Sequence, residues 1–308
     1  MLSRSAPCPA PTLSPPTAWQ GYGYGLLGVL IFSLTLPMTR VAVTEMSPWL
    51  ISLGRAWLAA VPAILMLVLT RSRRPTREEW PAVILAALGV VIGWPLTSTF
   101  ALTTVSSSHG AVFNGLLPLC TAMFAAWRSG ERPPRAFWAW AGAGAVLVMV
   151  YGLQQGAGRF QAGDVWLLVA VVLGGMGYAE GARASRTLGG ARTICWALAI
   201  SAPILTVPVM LLLRDAAATT GWPGMPVIGA FAYLAFGSMF LGFFAWYRGL
   251  AIGGIARVGQ VQLLQPFLTV LAAATLFHES VEPSAFVFAV AVILVIAGGR
   301  RAMLNSAR

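Results

Sequence analysis

Lysine is absent from this 308-residue chain, acidic residues number nine, and charged side chains make up only 9% of the total. Ordinary globular proteins carry about 25%, so a water-exposed surface of the usual kind cannot be assembled from these residues. Cysteine is scarce too: Cys8, Cys120 and Cys195 stand far apart without CxxC spacing. That excludes a disulfide framework and a cysteine metal site, and Cys120 and Cys195 read as small buried hydrophobes in apolar runs. The two histidines, His109 and His278, have no plausible metal partner nearby, and no HExxH, GxSxG or ATP-binding motif occurs. The string from Gly23 to Gly28 fits GxGxxG but opens no strand–turn–helix unit, so no dinucleotide is implied and no cofactor is expected. The formal charge of +11 comes entirely from arginines placed between hydrophobic runs. No basic stripe interleaved with aromatics is present, which argues against nucleic acid as a partner.

What the chain has is apolar length. Hydrophobic residues make up 58% of the sequence and the mean hydropathy is +0.78. A helix needs about twenty apolar residues to cross a bilayer, and a barrel strand about ten in alternation. The runs are long and continuous, so the expected fold class is all-α integral membrane. Ten spans are predicted. The first five are Trp19–Arg40, Pro48–Thr70, Trp80–Thr103, His109–Trp127 and Ala136–Leu153. The second five are Val165–Ala184, Ile194–Leu213, Val227–Tyr247, Val258–Phe277 and Pro283–Met303. Residues 1–18, rich in proline and without an apolar h-region, read as a disordered tail and not as a cleaved signal, and residues 304–308 as a short C-terminal tail.

Arginine placement sets orientation, because cytoplasmic loops carry excess positive charge. With the N-terminus inside, sixteen arginines fall in inside segments and only Arg40, Arg159 and Arg214 outside, with Arg55 left inside the second span. Both termini are therefore expected in the cytoplasm, in a bacterial-type inner (plasma) membrane. An internal repeat runs at an offset of 148 residues: Gly89 matches Gly237, Pro118 matches Pro266, Thr121 matches Thr269 and Glu131 matches Glu279. The repeats 19–153 and 165–303 each hold five spans, an odd number, so the second must thread the membrane upside down. The Glu131 loop carries three arginines and the Glu279 loop none, as inversion requires. Inverted repeats are typical of secondary transporters, whose site lies near the midplane between the halves.

The segments SSSHGAVFNGLLPLCTAMFAAWRSGE and GGIARVGQVQLLQPFLTVLAAATLFHE share a small-residue helix start, a central proline and a glutamate after the helix. With LGRAWLAA around Arg55, they resemble the EamA-type branch of the drug/metabolite transporter superfamily. The resemblance covers nearly everything after residue 18. It implies export or uptake of small metabolites through a cavity among spans 1, 3, 4, 6, 8 and 9, and it names no substrate.

Candidate site residues follow from what hydrocarbon tolerates. Pro118 and Pro266 each remove a backbone donor mid-span and free a carbonyl, which marks them as kink or gating positions in both halves. Asn114 and Thr121 share a stripe with Pro118, and Gln262, Gln265 and Thr269 share one with Pro266. Amides in lipid are costly unless bonded, so these face the interior and are candidate solute contacts, Gln262 foremost. Trp94, with Thr97 and Thr104 on span 3, and Tyr247, with Phe240 and Phe244 on span 8, are weaker aromatic candidates. Tyr247 and Trp246 fall near the inner interface. Arg55 is placed about 10 Å deep, expected to snorkel outward, to anchor a substrate carboxylate or to pair with the outside loops. Glu180 is the one acidic residue expected inside a helix, read as a solvated helix end and otherwise as a proton carrier. Glu131 and Glu279 are expected to cap or to pair with arginines. Gly21–Gly25, Gly89–Gly93 and Gly177–Gly181 have GxxxG spacing, which allows spans 1, 3 and 6 to pack closely.

The expected function is that of a secondary transporter, an exporter in preference to an importer. It would move a small organic metabolite such as an amino acid by alternating access. Its partners would be a small-molecule solute and membrane lipid, with a homodimer left open. The rival readings are an intramembrane enzyme acting on a lipid-linked substrate, which would need paired acids or a nucleophile near an interface, and a non-transporting membrane scaffold.

Overall fold

In the computed structural model, residues 15–105, 107–154, 162–219, 223–277 and 283–305 are described. Most of the expected tail, the Glu279 turn with His278, and the 155–161 connection lie outside them. All regular structure among the described residues is helical. Helix α1 runs Pro15–Ser33 and continues as Thr35–Ala42, so its first turn begins inside the expected tail. Then follow α2 (Pro48–Leu69), α3 (Trp80–Ala101), and α4, in two pieces, Ser107–Asn114 and Leu117–Arg128. The remainder are α5 (Arg135–Gln154), α6 (Ala162–Leu188), α7 (Gly190–Ala218), α8 (Met225–Gly253), α9 (Ile255–Leu276) and α10 (Pro283–Asn305).

Eight of these helices are long and apolar enough to cross a membrane. That count is of the described residues: α4 is broken between its two pieces, and within α5 (Arg135–Gln154) the apolar helix is described over Arg135–Val150. The chain is a multi-pass membrane protein.

Local chemistry sets the ends. Ser47 caps α2 by accepting the Leu50 N–H at 3.2 Å, with Pro48 in the first turn. Two joints use a single residue: Gly189, at φ +85°, separates α6 from α7, and Gly254, at φ +91°, separates α8 from α9. Only glycine adopts such angles without strain.

The packing map is symmetric under exchange of halves. Helix α2 lies along α7, α5 along α10 and α4 against α9; α1 packs on α8 as α6 packs on α3, and α1 on α9 as α6 on α4. Glycines let the key pairs approach. A Cβ on Gly89 would sit 2.7 Å from Gly177 Cα, joining α3 to α6, and one on Gly21 would sit 2.6 Å from Gly253 Cα, joining α1 to α8.

Backbone irregularities recur at equivalent places. Widened π turns span Ala87–Gly93 in α3 and Tyr233–Gly242 in α8, which the 148-residue offset superimposes. The Gly115–Leu116 turn that breaks α4 corresponds to a 3₁₀ turn over Gln260–Leu264 in α9. Pro118 and Pro266 each stand at the start of the helical piece that follows, where a missing N–H is harmless.

Candidate functional site

Between the halves lies a narrow cavity with free room for about one water. Phe32 and Thr35 of α1, Arg55 of α2, and Val90 and Trp94 of α3 line it from the first half. Tyr178 of α6, Ser238, Met239 and Phe243 of α8, and Gln265 of α9 line it from the second. Helix α2 therefore takes the place on the wall that the family resemblance assigned to α4.

Arg55 does not snorkel. It is 1% exposed. Its Nη2 donates to Ser238 Oγ at 3.2 Å, and that hydroxyl shares a 2.9 Å hydrogen bond with Thr35 Oγ1. Its Nε and Nη1 are buried without a hydrogen-bond partner among the described residues. The indole Nε1 of Trp94 is in the same condition on the same wall. No Asp or Glu lines the cavity among the described residues.

The floor is aromatic. Tyr178 stacks on Phe32 at 6.4 Å between centroids and leans on Phe243 and Trp246 at 6.0 and 5.3 Å. Behind it, Gln262 Nε2 donates to Gln265 Oε1 at 3.1 Å and lies 3.4 Å from the Tyr178 hydroxyl. Gln265 Nε2 donates to the Phe32 carbonyl at 3.3 Å, and Thr269 Oγ1 to the Ser33 carbonyl at 2.9 Å. These bonds fasten α9 to the end of the first α1 segment, where the ladder is interrupted and a carbonyl would otherwise be orphaned.

Of the sequence candidates, Trp94, Gln265 and Arg55 meet at the cavity, and Gln262 holds two wall residues from behind. Thr269 is a fastener. Asn114 and Thr121 are buried on α4 but do not line the cavity. Tyr247, expected near an interface, is fully buried and donates to the Gly177 carbonyl at 3.0 Å. Phe240 and Phe244 pack on each other at 4.6 Å away from the cavity, and Phe243 takes the wall position instead. Sequence reasoning missed Thr35, Tyr178 and Ser238. The repeat could have found Ser238, because it lies one residue past the Gly237 that matches Gly89.

The reading of Glu180 as a solvated helix end is corrected. It is 0% exposed, bonded by Arg128 Nε at 2.6 Å and by Arg183 Nη2 at 2.6 Å. Nor is it alone inside a helix: Asp164, in the first turn of α6, is 3% exposed and meets His109 Nε2 at 2.5 Å. Glu131 behaves as a cap and an ion-pair partner. It accepts the N–H groups of Ile255 and Ala256 at 2.9 Å each, and Arg186 Nη2 at 2.6 Å. In the α2–α3 loop, Arg73 and Glu79 form a two-pronged pair at 2.8 and 2.7 Å. That pair, with the Thr187 hydroxyl and the Thr76 N–H, holds the Glu79 carboxyl down at about 2.

Comparison with known proteins places this geometry. The EamA-like transporter family model matches residues 19–153 and again 161–298. The chain is 44% identical over 283 residues to the uncharacterized transporter YdeK of Bacillus subtilis (strain 168), covering 91% of this chain and 97% of that one. A solved crystal structure at 20% identity superposes with a TM-score of 0.69, covering 94% of this chain and 98% of that one, which shows a shared fold. Two family matches in tandem, a transporter-named relative matched over nearly its whole length, and a cavity built equally from both halves agree: the chain belongs to the EamA-like transporter family.

Proposed function

We propose that the protein is a secondary transporter that moves a small organic metabolite, such as an amino acid, by alternating access between two inverted five-helix repeats. One observation carries the reading: the cavity takes five wall residues from each half. A site at the seam of two rocking bodies is the arrangement that inverted-repeat transporters use. The packing map, unchanged when the halves are exchanged, supports two equivalent bodies. Family membership and the transporter-named relative favour transport over enzymatic turnover.

Both termini are assigned to the cytoplasm and the membrane to the bacterial inner (plasma) membrane. The ion pairs of Glu79, Glu131 and Glu180 with Arg73, Arg186, Arg128 and Arg183 support this orientation. They gather at helix ends that the arginine bias places inside. Export is the expected direction. The interrupted stretches before Pro118 and Pro266 are the assigned flexing points, where the ladder is already broken.

Counterflow in proteoliposomes tests the proposal. Trans-stimulated uptake of at least one labelled amino acid or organic acid is expected. Absence of flux across a panel of amino acids, organic acids, sugars and nucleosides would refute it.

A further inference from the structure

The wall has an uneven polar inventory, and the imbalance has a sign. Arg55 is 1% exposed, lies in a membrane-spanning helix, and offers Nε and Nη1 with no acceptor among the described residues. Its one protein bond is to a neutral hydroxyl at 3.2 Å, long for a charge-assisted bond. An arginine at mid-membrane costs about 2.5–3.5 kcal/mol on insertion scales and is ordinarily paired. Trp94 Nε1 adds a second buried, unsatisfied donor on the same wall. Acceptors there are either engaged or set back: the Phe32 carbonyl receives Gln265, Gln265 Oε1 receives Gln262, and Gln262 Oε1 lies behind the wall. The Thr35 and Ser238 hydroxyls bond each other, the Tyr178 hydroxyl faces Gln262, and the remaining lining is aromatic and apolar.

We propose that the cavity, widened as the two halves part, takes its solute through a carboxylate anchored by Arg55 and Trp94, with the solute's apolar or aryl body against Tyr178, Phe32 and Phe243. This rests on the transporter reading and narrows its substrate class. An anion supplies the acceptor that the orphan donors of Arg55 and Trp94 lack, and it cancels a buried charge that nothing else on the wall cancels. An ammonium group has no carboxylate to meet, only aromatic faces. A simple organic acid therefore binds at least as well as the amino acid of the same skeleton.

The probes are 3-phenylpropionate, its amide 3-phenylpropionamide, and phenylalanine, titrated against the purified full-length protein by tryptophan fluorescence and thermal shift. The acid is expected to bind, the amide to bind about tenfold or more weaker, and phenylalanine no tighter than the acid. Arg55→Gln should reduce acid binding by about tenfold to a hundredfold and the weaker amide binding by much less, the difference expected of one charge-assisted contact. Arg55→Lys should restore part of it. A merely structural Arg55 would not alter the acid-to-amide ratio. If Arg55→Gln does not fold, Trp94→Phe and the acid–amide comparison on the unaltered protein carry the test. Equal binding of acid and amide, tighter binding of phenylalanine than of the acid, or no binding of the acid overturns the inference. Counterflow separates the two proposals. Acid binding without any flux sinks the transporter reading alone. Flux of organic acids that Arg55→Gln leaves intact sinks the carboxylate anchor alone.

Discussion

Glu131 offers the sharpest test of how the two halves are joined. Its carboxylate leaves the α4–α5 loop and lands on the first turn of α9, in the other repeat, accepting two backbone N–H groups at 2.9 Å. Those donors have no intrahelical partner. Losing a side-chain cap costs about 0.5–2 kcal/mol, and losing an anion at a helix N-terminus about 0.3–1 kcal/mol. The Arg186 contact at 2.6 Å joins side chains 37% and 16% exposed, so it adds only about 0–1 kcal/mol. Glu131→Ala should therefore destabilise by about 2 kcal/mol, and Arg186→Gln by less than half as much. Glu131→Gln, which keeps an acceptor oxygen but no charge, should fall between them. Reversible unfolding in mixed micelles with increasing SDS gives the three numbers, and a double substitution separates cap from ion pair. Equal losses for Glu131→Ala and Arg186→Gln would mean that the ion pair dominates and the cross-repeat cap contributes nothing.

Three further outcomes follow from the same geometry. Gly89→Ala places a methyl 2.5 Å from the Leu173 carbonyl and 2.7 Å from Gly177 Cα. Both are backbone atoms that cannot step aside, so a loss of about 1–3 kcal/mol is expected, whereas Gly142→Ala, which meets nothing within 4 Å, should be tolerated. The arginines around Glu180 are 37% and 32% exposed while Glu180 is fully buried. Removing both as Arg128→Ala with Arg183→Ala should cost more than Glu180→Gln, about 3–5 kcal/mol, because freed arginines reach water and a stranded carboxylate does not; the reverse order in the same assay would refute this. Glu79, held at about 2 in the folded protein against about 4.3 for a free carboxyl, contributes stability that is complete above pH 4.3 and lost as pH falls through 2. Unfolding of Glu79→Gln should show a shallower acid slope across that window, and an unchanged slope would remove the pair from the account.

Much of the fold was legible because bilayer-length apolar runs and arginine bias are strong signals. Ser47–Pro48, Gly189 and Gly254 mark ends by plain local chemistry. The site was legible in part. Arg55 and Gln265 stood out because polar groups are costly in hydrocarbon, and that cost is local information. Glu180 was misread because its second partner, Arg128, lies 52 residues away, and no local pattern reports such a pair. Asp164 was missed because α6 begins a turn earlier than its apolar run. Tyr178 was hidden inside a stripe of small residues that explained itself as helix packing.

The aromatic error on α8 has a different cause, and it connects the fold to the site. Helical spacing put Phe240, Phe244 and Tyr247 on one face, yet Phe243 meets the cavity. Regular spacing allows Phe243 at i+3 from Phe240 as well as Phe244 at i+4, and the π turn over Tyr233–Gly242 ends just before Phe243. The π turn over Ala87–Gly93 stands just before Trp94 in the same way. Val90 lies within the first of these turns and Trp94 follows it; Ser238 and Met239 lie within the second and Phe243 follows it. Half of the wall thus comes from two widened turns and the residues that directly follow them, and the 148-residue offset maps the two turns onto each other. Such a turn weakens its own hydrogen-bond ladder, a cost that lipid makes larger. Its presence in both halves, always where the helix meets the seam, makes the irregularity a means of presenting the wall, and the periodicity of a regular helix could not have shown it.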